Sequence, residues 1–166
     1  MATVIAIPLL LLSALLQMVA ISRLPLVHGS ADLVLLVLAA WGIHDKATNA
    51  WQWALIGALI ISFTSALPWP AIFLPYLTVA LLARQLHSRI WRTPIFAMLL
   101  VTIAGTLFQH ILAFISLQLS NVPIDFSNVL GNITLPSLIL NLILALPMYL
   151  VIHDVVRWIF PIEDYE

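Results

Sequence analysis

Long apolar runs separated by short polar breaks extend along almost the whole chain. A transmembrane helix needs roughly 20 consecutive, mostly apolar residues, and six stretches approach or exceed that length. They cover residues 3–22, 26–44, 51–67, 72–87, 94–119 and 135–158. The pattern predicts an all-α integral membrane protein with six transmembrane helices, folded as a single polytopic domain over residues 1–166.

The composition agrees with that pattern, since 63% of the residues are hydrophobic and only 8% are charged. Ordinary soluble domains carry about 25% charged residues, so this chain is expected to be solvated by lipid. A net charge of −1 gives no indication of nucleic-acid binding. The lack of cysteine excludes disulfides and thiolate chemistry. The first apolar stretch lacks the basic start and the cleavage site of a secretory signal, so it is expected to be retained.

Basic residues between the apolar stretches predict the orientation, because cytoplasmic loops of membrane proteins are enriched in Lys and Arg. With the first residue inside, the cytoplasmic set comprises Lys46, Arg84, Arg89, Arg92 and Arg157. Arg23 is then the only basic residue outside. Both termini are therefore expected in the cytoplasm, and "SNVPIDFSNVLGN", residues 120–132, is predicted to be the longest external loop.

The most basic segment is "ARQLHSRIWR", which contains Arg84, Arg89 and Arg92. We expect a cytoplasmic loop whose charge fixes the orientation. The alternative is a docking surface for anionic lipid head groups or for a cytoplasmic partner.

Tryptophans close to the ends of apolar stretches are expected at the membrane–water interface, where an indole has both an apolar and a polar environment. The residues in question are Trp41, Trp51, Trp53, Trp69, Trp91 and Trp158.

Small and polar residues recur at helical spacing on one face of three predicted helices. Such faces let helix backbones approach closely and let side chains form hydrogen bonds between helices. The candidates are Ala54, Ala58 and Ser62 in the third stretch, Thr102, Gly105, Thr106, Gln109 and His110 in the fifth, and Ser137 and Asn141 in the sixth. They are expected to serve helix packing or partner binding. For Gln109 and His110 a proton relay or a substrate cavity is the alternative, because ionisable groups within a membrane are often functional.

Catalytic motifs are missing from the sequence. No G-x-S-x-G elbow, H-E-x-x-H zinc helix or phosphate-binding glycine loop occurs. The pairs His28–Asp32 and His153–Asp154 each offer two metal ligands, whereas zinc takes three or four. Asp32 is better explained as an acidic residue at a helix N-terminus. The chain is therefore not expected to be an enzyme or to hold a metal or cofactor.

Several segments, in their order along the chain, resemble the bacterial rod shape-determining protein MreD family. They are "ADLVLLVLAAWGIH", "GALIISFTSALPWP", "PYLTVALLARQL" and "LPSLILNLILALPMYLVIHDVVRWI". Asp32 matches the family's acidic position at the start of the second span, with Ala31 in place of the usual proline. Pro136 and Asn141 match the Leu-Pro and the following Asn of the last span. The family's glycine turn after the third span is replaced here by "SALPWP".

This resemblance implies a non-catalytic subunit of the bacterial cell-elongation complex in the inner membrane. Its expected partners are MreC, a single-span protein, then RodA with its transpeptidase, the MreB filament and membrane lipids. The implied fold is similar to the substrate-binding subunits of energy-coupling-factor transporters. A small-molecule-binding transporter subunit is accordingly the alternative function. Those subunits usually carry an Ala-x-x-x-Ala docking motif in the first helix, where this chain has only Ala2 and Ala6, at its extreme start.

Overall fold

A computed structural model describes residues 2–21, 29–89 and 93–160 of the chain. These residues form helices joined by short turns and contain no strand. The α-helices are α1 (Ala2–Leu16), α2 (Leu33–Gly42), α3 (Ala50–Ser62), α4 (Trp69–Arg89), α5 (Pro94–Leu119), α6 (Phe126–Val129) and α7 (Leu135–Ile159). A π-helical turn, Gln17–Ile21, continues α1, and a second, Leu130–Thr134, joins α6 to α7. The prediction of an all-helical fold is confirmed.

Three helical segments are long and apolar enough to cross a membrane: Trp69–His87, Pro94–Leu119 and Phe126–Ile159. The other apolar helices, Thr3–Val19, Leu33–Gly42 and Ala50–Ser62, are shorter. Length and composition thus identify three candidate spans in the described part of the chain, and the count of six remains a prediction.

The centre of the bundle is α2, which contacts α1, α3, α4, α5 and α7. All of its residues except Leu33 are buried. A helix that is hydrophobic on every side needs apolar surroundings on every side, and here its neighbours provide them. At 10 residues it is only about 15 Å long.

The expected start of the second helix near residue 26 is wrong within the described residues, because 29–32 are not helical. The helix begins at Leu33 since Asp32 caps it, with its side chain accepting a hydrogen bond from the Leu35 backbone N–H. Asp32 is therefore a helix-start residue, as expected. Residues 26–28 of the predicted span lie outside the described residues.

Prolines account for the differences around α3 and α4. α3 ends at Ser62 rather than near residue 67, because "ALPWP" follows and the residue before a proline is disfavoured in a helix. α4 begins three residues earlier than predicted and accommodates Pro70 in its first turn, where no N–H is needed. Pro75, expected in that first turn, lies inside the helix.

The external loop predicted over residues 120–132 is shorter than expected, because its second half is helical. Asp125 caps α6 by accepting a hydrogen bond from the Asn128 backbone N–H. The π-turn then leads directly into α7, so that Phe126–Ile159 is one apolar helical segment. By contrast, α5 has the predicted bounds.

Two of the tryptophans lie inside the protein rather than at an interface. Trp41 on α2 and Trp53 on α3 are both fully buried, and their rings stack at 3.9 Å between centroids. The interfacial prediction is wrong for this pair, because α2 is surrounded by other helices. Trp51, Trp69 and Trp158 are exposed. Trp91 lies outside the described residues.

Candidate functional site

Asp32 lies at the centre of a buried cluster of polar side chains, and its carboxylate joins three helices. Oδ1 accepts a hydrogen bond from the Leu35 backbone N–H on α2 at 2.9 Å. Oδ2 accepts one from the Tyr76 hydroxyl on α4 at 2.7 Å and one from Gln109 Nε2 on α5 at 2.8 Å. Because Asp32 is only 6% exposed, these donors replace the water that would otherwise solvate the carboxylate.

The fourth helix, α7, enters the cluster through Asn141. Its Oδ1 accepts a hydrogen bond from the Asp32 backbone N–H at 2.8 Å. Its Nδ2 donates one to Thr106 Oγ1 on α5 at 2.9 Å. On the same face of α7, Ser137 Oγ accepts one from the Ser30 backbone N–H at 2.9 Å. The predicted small and polar faces of α5 and α7 therefore meet each other.

Another N–H group at the start of α2 is paired with the π-turn after α1. The Leu33 backbone N–H donates a hydrogen bond to Gln17 Oε1 at 3.0 Å. A helix end leaves its first N–H groups without internal partners, and a buried end needs them paired. The cluster thus both caps α2 and binds it to its neighbours.

Two members of the cluster, Gln17 and Tyr76, were not among the residues singled out from sequence. Each is a polar group within an apolar stretch, which is the signal that identified Gln109. A buried carboxylate also requires hydrogen-bond donors. If Asp32 is taken to be buried, the polar side chains in the other apolar stretches become candidates for those donors, and Gln17 and Tyr76 are among them.

The arrangement has the character of a structural joint. Among the described residues, every hydrogen bond to the Asp32 carboxylate comes from a donor on α2, α4 or α5, and the carboxylate lies near the positive end of the α2 dipole. The cluster offers no second carboxylate or imidazole hydrogen-bonded to it within the described residues. Its chemistry is therefore that of inter-helix hydrogen bonding.

The small residues of α3 and α5 are also used within the bundle. Ala54, Ala58 and Thr102 are fully buried. A Cβ placed on Gly105 would lie 2.4 Å from Val79 Cγ2 on α4, so glycine allows α4 and α5 to approach. Ser62 is half-buried and donates to the Leu59 carbonyl of its own helix at 2.7 Å.

His110, next to Gln109 in sequence, faces a different environment. It lines two adjacent apolar cavities of about 130 Å³ each, together with Phe114 and Val129. Its Nδ1 is buried, and no described residue forms a hydrogen bond with it. Phe126 on α6 packs edge-on against Phe114 at 5.3 Å between centroids. Gln109 and His110, although adjacent in sequence, therefore lie in different surroundings.

The other predicted positions fall at the two ends of α2. Pro136 packs closely against Gly29, where an added Cβ would lie 2.8 Å from Pro136 Cβ. Near the opposite end, the Arg84 guanidinium donates a hydrogen bond to the Ala47 carbonyl at 2.9 Å. Arg92 lies outside the described residues, as does the side chain of Arg89.

Residues 2–21, 29–89 and 93–160 contain no group of three or more His, Cys, Asp or Glu side chains arranged to hold a metal ion. Compared with known protein families, with curated proteins and with solved structures, the chain matches none.

Proposed function

We propose that this chain is a non-catalytic membrane subunit that acts by binding another membrane protein, in the manner of the MreD family. The observation that carries the proposal is the convergence of the positions that resemble that family. Asp32 and Asn141 are 109 residues apart and share a hydrogen bond, while Pro136 packs beside Gly29, three residues before Asp32. Short motifs that matched independently by chance would have no reason to meet in one joint.

The proposed membrane arrangement has six helices crossing or entering the bilayer and both termini in the cytoplasm of a bacterial cell. The charge asymmetry of the loops supports that orientation. The hydrocarbon core is about 30 Å thick, and α2 is too short to cross it alone. Its burial supports its inclusion nonetheless, because a helix enclosed by protein has no need to match the lipid thickness. We also propose that the fold of this chain is similar to that of the substrate-binding subunits of energy-coupling-factor transporters.

The proposed partner is MreC, which would pack its single span against the outside of the bundle. The small-residue faces of α3, α5 and α7 are occupied by internal packing, so a partner helix would meet an outward surface. Exposed leucines mark three such surfaces: Leu15 on α1, Leu81 on α4 and Leu150 on α7. The association with RodA, its transpeptidase and the MreB filament would be indirect, through the complex that contains MreC.

Site-specific photo-crosslinking tests the proposal. A photoreactive amino acid at Leu15, Leu81 or Leu150 should capture MreC in bacterial membranes from at least one position. The same amino acid at Val101, which is fully buried, should capture none. Loss of the protein should also turn rod-shaped cells round, because elongation would fail.

A transporter subunit would give a different result. The purified protein would bind a vitamin tightly and associate with an ATPase motor, without crosslinking to MreC. In the first helix, where those subunits carry their motor-docking motif, Ala6 is fully buried. A buried residue cannot contact a motor protein, so its position argues against that alternative.

A further inference from the structure

Three histidines converge at the end of α2 opposite Asp32. His44 lies in the loop between α2 and α3, His87 in the last turn of α4, and His153 on α7. With Asp45 and Tyr149 they line a cavity of about 330 Å³. Because these residues come from three separate parts of the sequence, only the fold brings them together.

Two of the imidazoles lie side by side, and no carboxylate among the described residues is hydrogen-bonded to either. The ring centroids of His44 and His153 are 5.4 Å apart, and the Tyr149 ring stacks on His44 at 5.5 Å. Nε2 of His44 and Nδ1 of His153 are buried, and neither has a hydrogen-bond partner in the part of the chain that the structure describes. Nε2 of His87, in contrast, contacts the Asp45 carboxylate.

The titratable and charged groups around this pair come from the α2–α3 loop, α4 and α7. The loop contributes Asp45 and Lys46, whose ammonium lies 5.4 Å from the Phe160 ring centroid. α4 contributes His87 and Arg84, which donates to the Ala47 carbonyl. α7 contributes Tyr149 and His153, and α5 adds only the uncharged Pro94 to the cavity wall.

A proton on His44 is therefore poorly accommodated. Burial lowers the pKa of His44 from its ordinary 6.5 to about 4, assisted by repulsion from His153 and His87 and opposed by attraction to Asp45. Asp45 already pairs with His87 and is mostly exposed, so it compensates little.

We propose that His44, His153 and His87 form an acid-sensitive latch that holds the α2–α3 loop, residues 43–49, against the ends of α4 and α7. When His44 is neutral, its ring packs against the rings of His153 and Tyr149 and the loop is closed. When His44 takes up a proton, the buried imidazolium has no hydrogen-bond acceptor at Nε2 among the described residues and gains water by leaving the cavity, so the loop opens.

The direction with pH follows from proton binding in the two states. The closed state keeps His44 neutral down to about pH 4, whereas an opened loop returns the pKa of His44 towards 6.5. The open state therefore binds more protons between these values, and opening becomes more favourable as the pH falls through that window.

Electron spin labels provide a direct test, because the sequence contains no cysteine to react in the background. Labels on Thr48→Cys in the loop and Trp158→Cys at the end of α7 would report their separation in the purified full chain in lipid nanodiscs. The distance should lengthen reversibly between pH 6.5 and 4. His44→Phe and His153→Phe should each abolish the change, and His110→Phe, remote from the latch, should leave it intact.

An unchanged distance over that range would overturn the proposal, as would a transition that survives both substitutions in the latch. Should those variants fold poorly, nuclear magnetic resonance titration of the wild-type imidazoles decides the matter, since His44 titrating near 6.5 contradicts a closed latch. Addition of Zn²⁺ at pH 7.5 should leave the distance unchanged. Tight Zn²⁺ binding lost in His44→Phe would instead identify a metal site.

Discussion

At the level of single residues, the Asp32 carboxylate determines how the polar groups of the bundle are arranged. Removing a charged group that receives several donors leaves all of them unpaired, whereas removing one donor leaves the others in place. Substitutions of the donors are therefore the more informative test of the joint.

Gln109→Leu should lower thermal stability in detergent while leaving membrane insertion normal. It deletes one of two donors to Asp32 Oδ2, with Tyr76 still bound, so we expect a loss of about 0.5–2 kcal/mol. Gln118→Leu is the matched control, because Gln118 is exposed and donates only to the Ile124 carbonyl. Unchanged melting of Gln109→Leu together with lost biological activity would make this residue a functional site instead.

At the level of helices, the close approach of α4 and α5 depends on Gly105. Gly105→Ala should destabilise the protein by about 1–3 kcal/mol, because its Cβ would overlap Val79. Gly131→Ala is the control, since nothing lies within 4 Å of a Cβ there. Thermal melting of the two variants in the same detergent measures the difference, and equal melting would mean that α4 moves aside without cost.

The helical turn at α6 should depend on acid through its cap. The Ser127 hydroxyl and then the Asn128 backbone N–H lower the pKa of Asp125 below its ordinary 3.8. A carboxylate with a lowered pKa stabilises the fold above the ordinary value and loses that effect as the pH falls through the lowered one. Hydrogen exchange at residues 126–134 should therefore accelerate, relative to its intrinsic rate, only once the pH falls below the ordinary pKa of 3.8. In Ser127→Ala the change should start at higher pH, and protection independent of pH would contradict the capping role.

The sequence predicted some helices better than others for physical reasons. The bounds of α5 were predicted correctly because Pro94 marks the start of a long uncharged run. The helical spacing of its small and polar residues can be recognised without knowing which helices pack against it. The start of α2 and the helix at α6 were missed, because each is fixed by one capping aspartate whose bonding depends on local geometry. Trp41 and Trp53 were misplaced because the ends of a helix resemble an interface in sequence even when protein surrounds them.

At the scale of the whole molecule, orientation is the property that the sequence predicts and that most needs measurement. Reporter fusions should place both termini and the segment around Arg84 in the cytoplasm, with residues 120–125 outside. Fusions after residues 45 and 66 should report opposite sides if α3 crosses the membrane. The same side for both would reduce the number of crossings.

Contacts such as Tyr76 with Asp32 join spans far apart in sequence, so periodicity alone could not have predicted them.

The enclosed position of α2 bears on the order of assembly. A segment with no lipid-facing side acquires its final surroundings only after α4, α5 and α7, which are synthesised later, have been inserted. A carboxylate at its start is costly in hydrocarbon until Tyr76 and Gln109 arrive, so docking of α2 should be among the last steps of folding. A cysteine at Leu36 should accordingly react with a water-soluble thiol reagent in a chain truncated after residue 68. In the complete chain it should be protected.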